Sequence, residues 1–243
     1  MSATAATAAR VLRQLAHDRR TMALLLVVPV MLLALVRYMI NAGSPTYQRF
    51  GQPLLGIFPL VSMFLVTSIA MLRERTTGTL ERLLTMPLAK LDLLAGYGIA
   101  FALVASVQAG VLCAVAIGLL DLHIAGSVAM AVVLAVANAV LGMALGLFLS
   151  AFASTEFQAV QFMPAFLLPQ LLLCGIAVPR DHMATPLRWL SQVLPITYAY
   201  KGFETVRTSR GVPGAALVDL AVVSCMALAA LVLGAITLRR RTE

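Results

Sequence analysis

Charge is scarce in this chain. Only 12% of its 243 residues are Asp, Glu, Lys or Arg, while 61% are apolar and the mean hydropathy is +0.95. An average soluble domain carries about 25% charged residues. So few charges cannot keep the surface of a soluble protein this size wetted, which excludes a soluble enzyme, and the same hydrophobicity excludes disorder. Cysteine is scarce too. Cys113, Cys174 and Cys225 are odd in number and lie inside apolar runs, which excludes a secreted disulfide scaffold. The two lysines, Lys90 and Lys201, are followed by Leu91 and Gly202. Neither completes the Gly-x-x-x-x-Gly-Lys-Ser/Thr loop whose backbone N–H groups and lysine hold phosphates. His17, His123 and His182 lie far apart and no cysteines stand at Cys-x-x-Cys spacing, so the sequence assigns no catalytic residue, no metal ligand and no cofactor of its own. Ionisable residues are nearly missing from the middles of the apolar runs, against a proton- or sodium-coupled carrier.

What is present is a series of long uncharged runs. Between successive charges, Arg20 to Arg37 encloses 16 residues, Arg49 to Arg73 23, Asp92 to Asp121 28, Asp121 to Glu156 34, Glu156 to Arg180 23 and Asp219 to Arg239 19. About 20 apolar residues carry a helix across a bilayer core of roughly 30 Å. All six runs qualify if Arg37 snorkels to the interface. Period-2 alternation is absent, which argues against a β-barrel. The expected fold is therefore an all-α integral membrane protein with six transmembrane helices at 21–40, 53–72, 93–120, 124–152, 158–178 and 215–238.

An even number of spans places both termini on one side. Arg10, Arg13, Arg19 and Arg20, the tail Arg239, Arg240 and Arg241, and the second connection with Arg73, Arg75, Arg82 and Lys90 make that side cytoplasmic by the positive-inside rule. The formal charge of +8 is read as this topological signal and not as nucleic-acid binding. The fifth connection, with Arg180, Arg188, Lys201, Arg207 and Arg210, falls outside despite its basic residues. Within residues 1–20, Ala8, Val11, Leu12, Leu15 and Ala16 fall on one helical face and Arg10, Arg13, Gln14 and His17 on the other. That pattern predicts an amphipathic helix at the interface. No small-residue cleavage site follows Arg19-Arg20, so a leader peptide is not expected.

The second connection, residues 73–90, is the most informative. Gly78 permits a break after the second span and suits a helix N-cap, Glu81 suits the positive end of a new helix, and Pro87 stops that helix within about eight residues. Either a docking element or a plain joining helix fits these residues. Glu74, then Gly78-Thr79-Leu80-Glu81, the Leu83-Leu84 pair and Pro87-Leu88, placed between the second and third of six spans, resemble the membrane subunit of ABC-2-type exporters, including bacterial drug-efflux permeases of the daunorubicin-resistance type. The resemblance covers nearly the whole chain as a single ABC-2-type transmembrane domain, 1–243. Residues 1–20 match its connecting helix, and residues 179–213, with Gly175, Pro179, Trp189, Leu194-Pro195 and Tyr198, match its extracellular re-entrant segment. Gly96-Tyr97 is a departure, because relatives often have Gly-Lys there.

The resemblance implies a non-catalytic subunit, in a plasma or inner membrane, coupled through Glu74, Gly78, Thr79, Leu80, Glu81, Leu83, Leu84 and Pro87 to a separate ATP-binding subunit in two copies. ATP and Mg would belong to that partner. It also implies a second permease, identical or paralogous, and no nucleic acid.

Inside the spans, Asn138, Gly142, Gly146 and Ser150 recur every four residues, as do Gly110, Ala114 and Gly118, which suits close helix packing. The fifth predicted span combines Gln161, Phe162, Met163, Phe166 and Gln170 with Pro164 and Pro169. With Asn138 these are the expected pathway or gate residues, since prolines bend a helix and free its carbonyls. In the outer connection Thr185 and Pro186 read as an N-cap and first turn, with Leu187, Leu190, Val193 and Leu194 on an apolar face. A nearly uncharged pathway favours drugs, antibiotics or lipids as cargo. A polysaccharide or glycolipid exporter is the alternative, and an ion-coupled carrier or a membrane scaffold stands behind it.

Overall fold

Apolar runs of this length in lipid must satisfy every backbone group internally, so they become helices. A computed structural model describes residues 3–40, 44–78, 90–209, 211 and 214–237, and among these it is all-helical. In chain order the helices are α1 (Ala3–His17), α2 (Arg19–Met39), α3 (Pro45–Thr76), α4 (Lys90–Gly118), α5 (Val128–Ser150), α6 (Glu156–Leu173), α7 (Thr185–Val193), α8 (Pro195–Thr208) and α9 (Gly214–Thr237), with a 3-10 turn at Arg180–His182.

Five of these, α2, α3, α4, α5 and α9, are long and apolar enough to cross a membrane. They correspond to the predicted spans at 21–40, 53–72, 93–120, 124–152 and 215–238. The predicted span 158–178 appears as α6, which is shorter at 18 residues and contains Pro164 and Pro169. Glutamines 158, 161 and 170 lower its hydropathy further, and α6 is not among the five. Helix α3 starts eight residues before its predicted span, because the Ser44 hydroxyl accepts from the Tyr47 N–H and Pro45 follows at the first helical turn.

The centre of the fold is α3 packed on α5. Glycines at every fourth position of α5 let the backbones meet. A Cβ on Gly142 would overlap the Leu60 backbone, and one on Gly146 would overlap Phe64 O and the Thr67 hydroxyl. Leu60, Met63 and Phe64 are fully buried there. Lipid tails are as apolar as leucine, so within a bilayer such contacts stabilise through close fit and dispersion. The predicted stripe on α5 is thus a packing seam. The matching stripe on α4 is not: a Cβ on Gly110 or Gly118 would meet nothing within 4 Å, and Ala114 is exposed.

At the far end of α3 the loop joining α4 and α5 is held by the entrance to the bundle. Arg37, in the last turn of α2, pairs with Asp121 at 3.0 Å and donates to Leu120 O, which also accepts from the Tyr47 hydroxyl at 2.9 Å. After α6 the chain forms two helices of different character. The predicted face of α7, Leu187, Leu190 and Val193, is exposed in the single chain. Thr185 does not cap this helix: Ala184 holds the cap position without a side-chain bond, and Thr185 lies inside the first turn. Helix α8 buries Ile196, Tyr200, Phe203 and Val206 against α3, α5 and α9, so much of the outer connection is inserted into the bundle.

Candidate functional site

Helix α3 ends in three successive charged residues, Arg73, Glu74 and Arg75. At 3.6 residues per turn, neighbours point about 100° apart, so the three side chains must find partners in three directions. They do. Arg73 donates to Glu156 at the start of α6 through Nε at 2.7 Å and Nη2 at 3.3 Å. Arg75 donates from Nη1 to the Ser150 carbonyl, which ends α5, at 2.7 Å. Glu74 faces Arg10 of α1, with Nη1 and Oε1 3.6 Å apart. Helix C-terminal carbonyls lack intrahelical donors, so Arg75 also completes the end of α5.

The Glu74 side is the most enclosed of the three. Arg10 donates from Nη2 to the Tyr97 hydroxyl of α4 at 2.5 Å and lies over that ring at 5.6 Å from its centroid. Arg10 therefore turns inward, although its spacing placed it on the outward polar face of α1. The approach of α1 to α4 that permits this depends on Gly96. A Cβ there would stand 2.6 Å from Thr7 Cβ and 2.9 Å from Thr4 O. Thr4 adds a bond from its hydroxyl to Asp92 Oδ1 at 3.1 Å, and Thr7, Ala8 and Val11 are buried in this seam. The tyrosine noted as a departure at position 97 thus acts as an acceptor for Arg10, where a lysine would set two cations together.

Two carboxylates outside the membrane-spanning segments are perturbed. Hydrogen bonding from the Arg73 guanidinium holds the Glu156 carboxyl below its usual value, and Thr21 does the same to Asp18, which caps α2.

Beyond Arg75 the helix stops. Thr77 is its C-cap, donating its N–H to Arg73 O at 2.9 Å. Gly78 follows at φ +71, the left-handed conformation that terminates helices and strongly favours glycine. The break predicted at Gly78 is therefore real, and Glu74 and Gly78 belong to this junction. Thr79, Leu80, Glu81, Leu83, Leu84 and Pro87 lie outside the described residues.

The expected pathway residues do not form one surface within the chain. Asn138 is fully buried where a Cβ on Gly56 would meet both it and Phe203, and neither amide atom has a hydrogen-bond partner. Gln170 is buried and donates to Phe166 O at 3.0 Å. Phe162, Met163 and Phe166 pack on the core around Leu60, Phe64 and Leu141. Gln161 is exposed, on a face of α6 shared with Phe157, Leu168 and Leu172.

Sequence reasoning missed Arg10, Tyr97, Ser150 and Glu156 as partners of the junction. The available signal was the uninterrupted Arg73-Glu74-Arg75 triplet, whose divergent directions demand several partners.

Comparison with known proteins adds a family. A model of the "ABC-2 type transporter" family matches residues 3–206. The probable multidrug ABC transporter permease YbhR of Escherichia coli K12 is 31% identical over 153 residues, covering 63% of this chain and 42% of the relative. The same-named permease of Escherichia coli O157:H7 matches to the same extent. The chain thus spans less than half the length of the curated relatives it matches.

Proposed function

The chain belongs to the ABC-2 type transporter family, and on that premise we propose that it exports a hydrophobic or amphipathic small molecule, driven by a separate ATP-binding subunit. That it is the membrane subunit of an ABC transporter follows from the family. The coupling in this proposal is supported by one observation: the end of α3, after which residues 79–89 follow in the chain, is tied at once to α1, α5 and α6. A soluble subunit that seats the segment 78–88 and then closes would pull on α3. The load would pass to three further helices in the same displacement, because Arg73, Glu74 and Arg75 hold them. In this reading ATP and Mg belong to the partner, two copies of which close together, and this chain supplies the lever.

The exposed face of α6 supports a second permease, identical or paralogous. Lipid is a poor neighbour for Gln161, and Pro164 and Pro169 leave the carbonyls of Val160 and Ala165 without helical donors. A facing subunit or a water-filled pathway satisfies both, and α6 then completes six spans. The termini face the cytoplasm and α7 lies in the outer interface. The name of the Escherichia coli relatives, multidrug permeases, agrees with amphipathic cargo for this chain. Reconstitution with a candidate ATP-binding subunit, sought first among the neighbouring genes, tests the reading. It predicts stimulation of ATP hydrolysis by amphipathic drugs; hydrolysis unaffected by the permease would contradict it.

A further inference from the structure

Helix α1 has three faces. At about 100° per residue, Thr7, Ala8 and Val11 point into the seam with α4 and are buried. Arg13, Gln14 and His17 lie on a second face and are exposed. Ala9, Leu12 and Ala16 form a third, apolar face, half-buried at Ala9 and Leu12 and exposed at Ala16. Together with Arg10, the second face lines an open recess of about 450 Å³, with no carboxylate among the described lining residues. Arg10 is already held by Glu74 and the Tyr97 hydroxyl. Arg13, Gln14 and His17 are therefore the groups that a ligand on this face would meet.

The start of α2 continues this edge. Arg19 and Arg20 are exposed in its first turn. Arg20, Leu24, Val27 and Met31 follow one another at spacings of four, three and four, so they form one stripe, and its apolar members are more than half exposed. From Arg20 to Met31 the helix rises about 16 Å, close to one leaflet of a hydrocarbon core of roughly 30 Å. A cation thus heads an apolar stripe as long as one leaflet is deep. Among the described residues, none of Arg13, Arg19 and Arg20 is paired with a carboxylate. Arg13 donates from Nε to Ala9 O of its own helix at 3.2 Å. Asp18 lies between them in the chain, but both of its oxygens accept from Thr21 as the cap of α2. Three arginines against this one acid leave residues 13–20 two positive charges in excess, with His17 neutral.

We propose that this edge binds an anionic phospholipid, with its phosphate among Arg13, Arg19 and Arg20 and an acyl chain along Leu24, Val27 and Met31. The guanidinium fork matches phosphate oxygens, and basic residues at the entry of a span attract anionic lipid. The charge makes the selection. A zwitterionic head group brings its own cation against three guanidinium groups, whereas a phosphatidylglycerol head group brings none. The surface lies within one chain, away from the exposed face of α6. It requires neither an ATP-binding subunit nor cargo, so it stands or fails apart from the proposed function.

The sequence has one tryptophan, Trp189, so a single fluorescent reporter can be moved to the stripe. In the full chain carrying Trp189→Phe, Leu24→Trp reports on the stripe, and Leu228→Trp on the exposed surface of α9 serves as reference. Each variant is reconstituted in dibrominated phosphatidylcholine diluted with unbrominated phosphatidylglycerol or unbrominated phosphatidylcholine. The loss of quenching on dilution gives the relative binding of the two lipids at each position. At Leu24→Trp phosphatidylglycerol should bind about fivefold better, the ratio that one cation near a membrane surface supplies, and high salt should reduce the preference. Leu228→Trp should show none. Arg13→Gln, Arg19→Gln and Arg20→Gln together should bring the ratio at Leu24→Trp close to one. The lipid comparison and its salt dependence need no arginine substitution, and so decide the matter even if the triple variant fails to fold. Equal binding of the two lipids at Leu24→Trp, an equal preference at Leu228→Trp, or a preference that survives the triple substitution would overturn the proposal. So would a Leu24→Trp signal that brominated lipid leaves unquenched, the result expected if a second copy of the chain covers the stripe.

Discussion

Gln108 of α4 donates its side-chain amide to the Leu25 carbonyl of α2 at 2.9 Å. Leu25 is four residues before Pro29, and proline has no N–H to give to that carbonyl. A fully buried polar group of one helix therefore repairs the gap that proline makes in another. The same amide also meets Ser62 Oγ of α3 at 2.5 Å, which joins three helices at one point. Gln108→Leu should cost about 1–3 kcal/mol, the usual loss when a buried group is left unpaired. In a Pro29→Ala background position 29 regains its N–H, so the same substitution should cost clearly less. A thermal-unfolding double-mutant cycle measures this, and additive effects would refute the pairing.

The two glycine stripes should behave oppositely. Gly142→Ala places a methyl against the Leu60 backbone, and should destabilise by about 1–3 kcal/mol as overpacking does. Gly110→Ala meets open space and should be neutral or gain up to about 1 kcal/mol from helix propensity. Melting temperatures of the two purified variants settle the contrast.

Tyr97→Lys should loosen α1. It replaces the acceptor of Arg10 with a second cation, and hydrogen exchange in residues 3–17 should rise while that in α5 stays unchanged. Arg10→Gln in the same chain should return much of the protection, because the like-charge contact is then gone. Unaltered exchange in Tyr97→Lys would show that α1 is held without this contact.

The Arg73–Glu156 pair makes a pH-dependent contribution of known sign. Its folded carboxyl titrates below the unfolded value of about 4.3. The stabilisation is therefore complete above that value and fades as pH falls through the lower folded value. Both side chains are more than half exposed, so the pair should stabilise by less than about 1 kcal/mol and weaken with salt. Glu156→Gln should remove that part of the acid dependence of stability that sets in as pH falls below the unfolded carboxylate value. An unchanged acid profile in Glu156→Gln would contradict it.

Length and hydropathy made the spans legible because lipid imposes a minimum run of apolar residues. Charges at the ends of the runs located, to within a few residues, the five helices long and apolar enough to cross, α3 excepted. The fifth predicted span was the weakest for a physical reason: proline and glutamine shorten and polarise α6. Gly142 and Gly110 looked alike in sequence, and only the position of α3 separates a seam from an open face. The junction was half legible. Gly78 stood out for its backbone freedom, and Glu74 only through the resemblance to ABC-2-type permeases. Arg10, Tyr97 and Glu156 lie 64, 23 and 82 positions from Glu74 in the chain, and no local pattern reports a contact of that separation. Arg10 was misplaced because periodicity assigns a face but does not say what covers it.

Co-purification of the ATP-binding subunit with Glu81→Arg and with Leu84→Asp bears most directly on the proposed coupling. If residues 78–88 form the proposed docking helix, Glu81→Arg reverses an N-terminal charge worth about 0.3–1 kcal/mol, and against a basic groove it would set like charges together. Leu84→Asp places a charge on the expected docking surface. Both variants should reach the membrane in wild-type amounts, with recovery of the ATP-binding subunit reduced at least tenfold or drug-stimulated hydrolysis lost. Wild-type recovery together with wild-type drug-stimulated hydrolysis in both variants would contradict docking through residues 78–88.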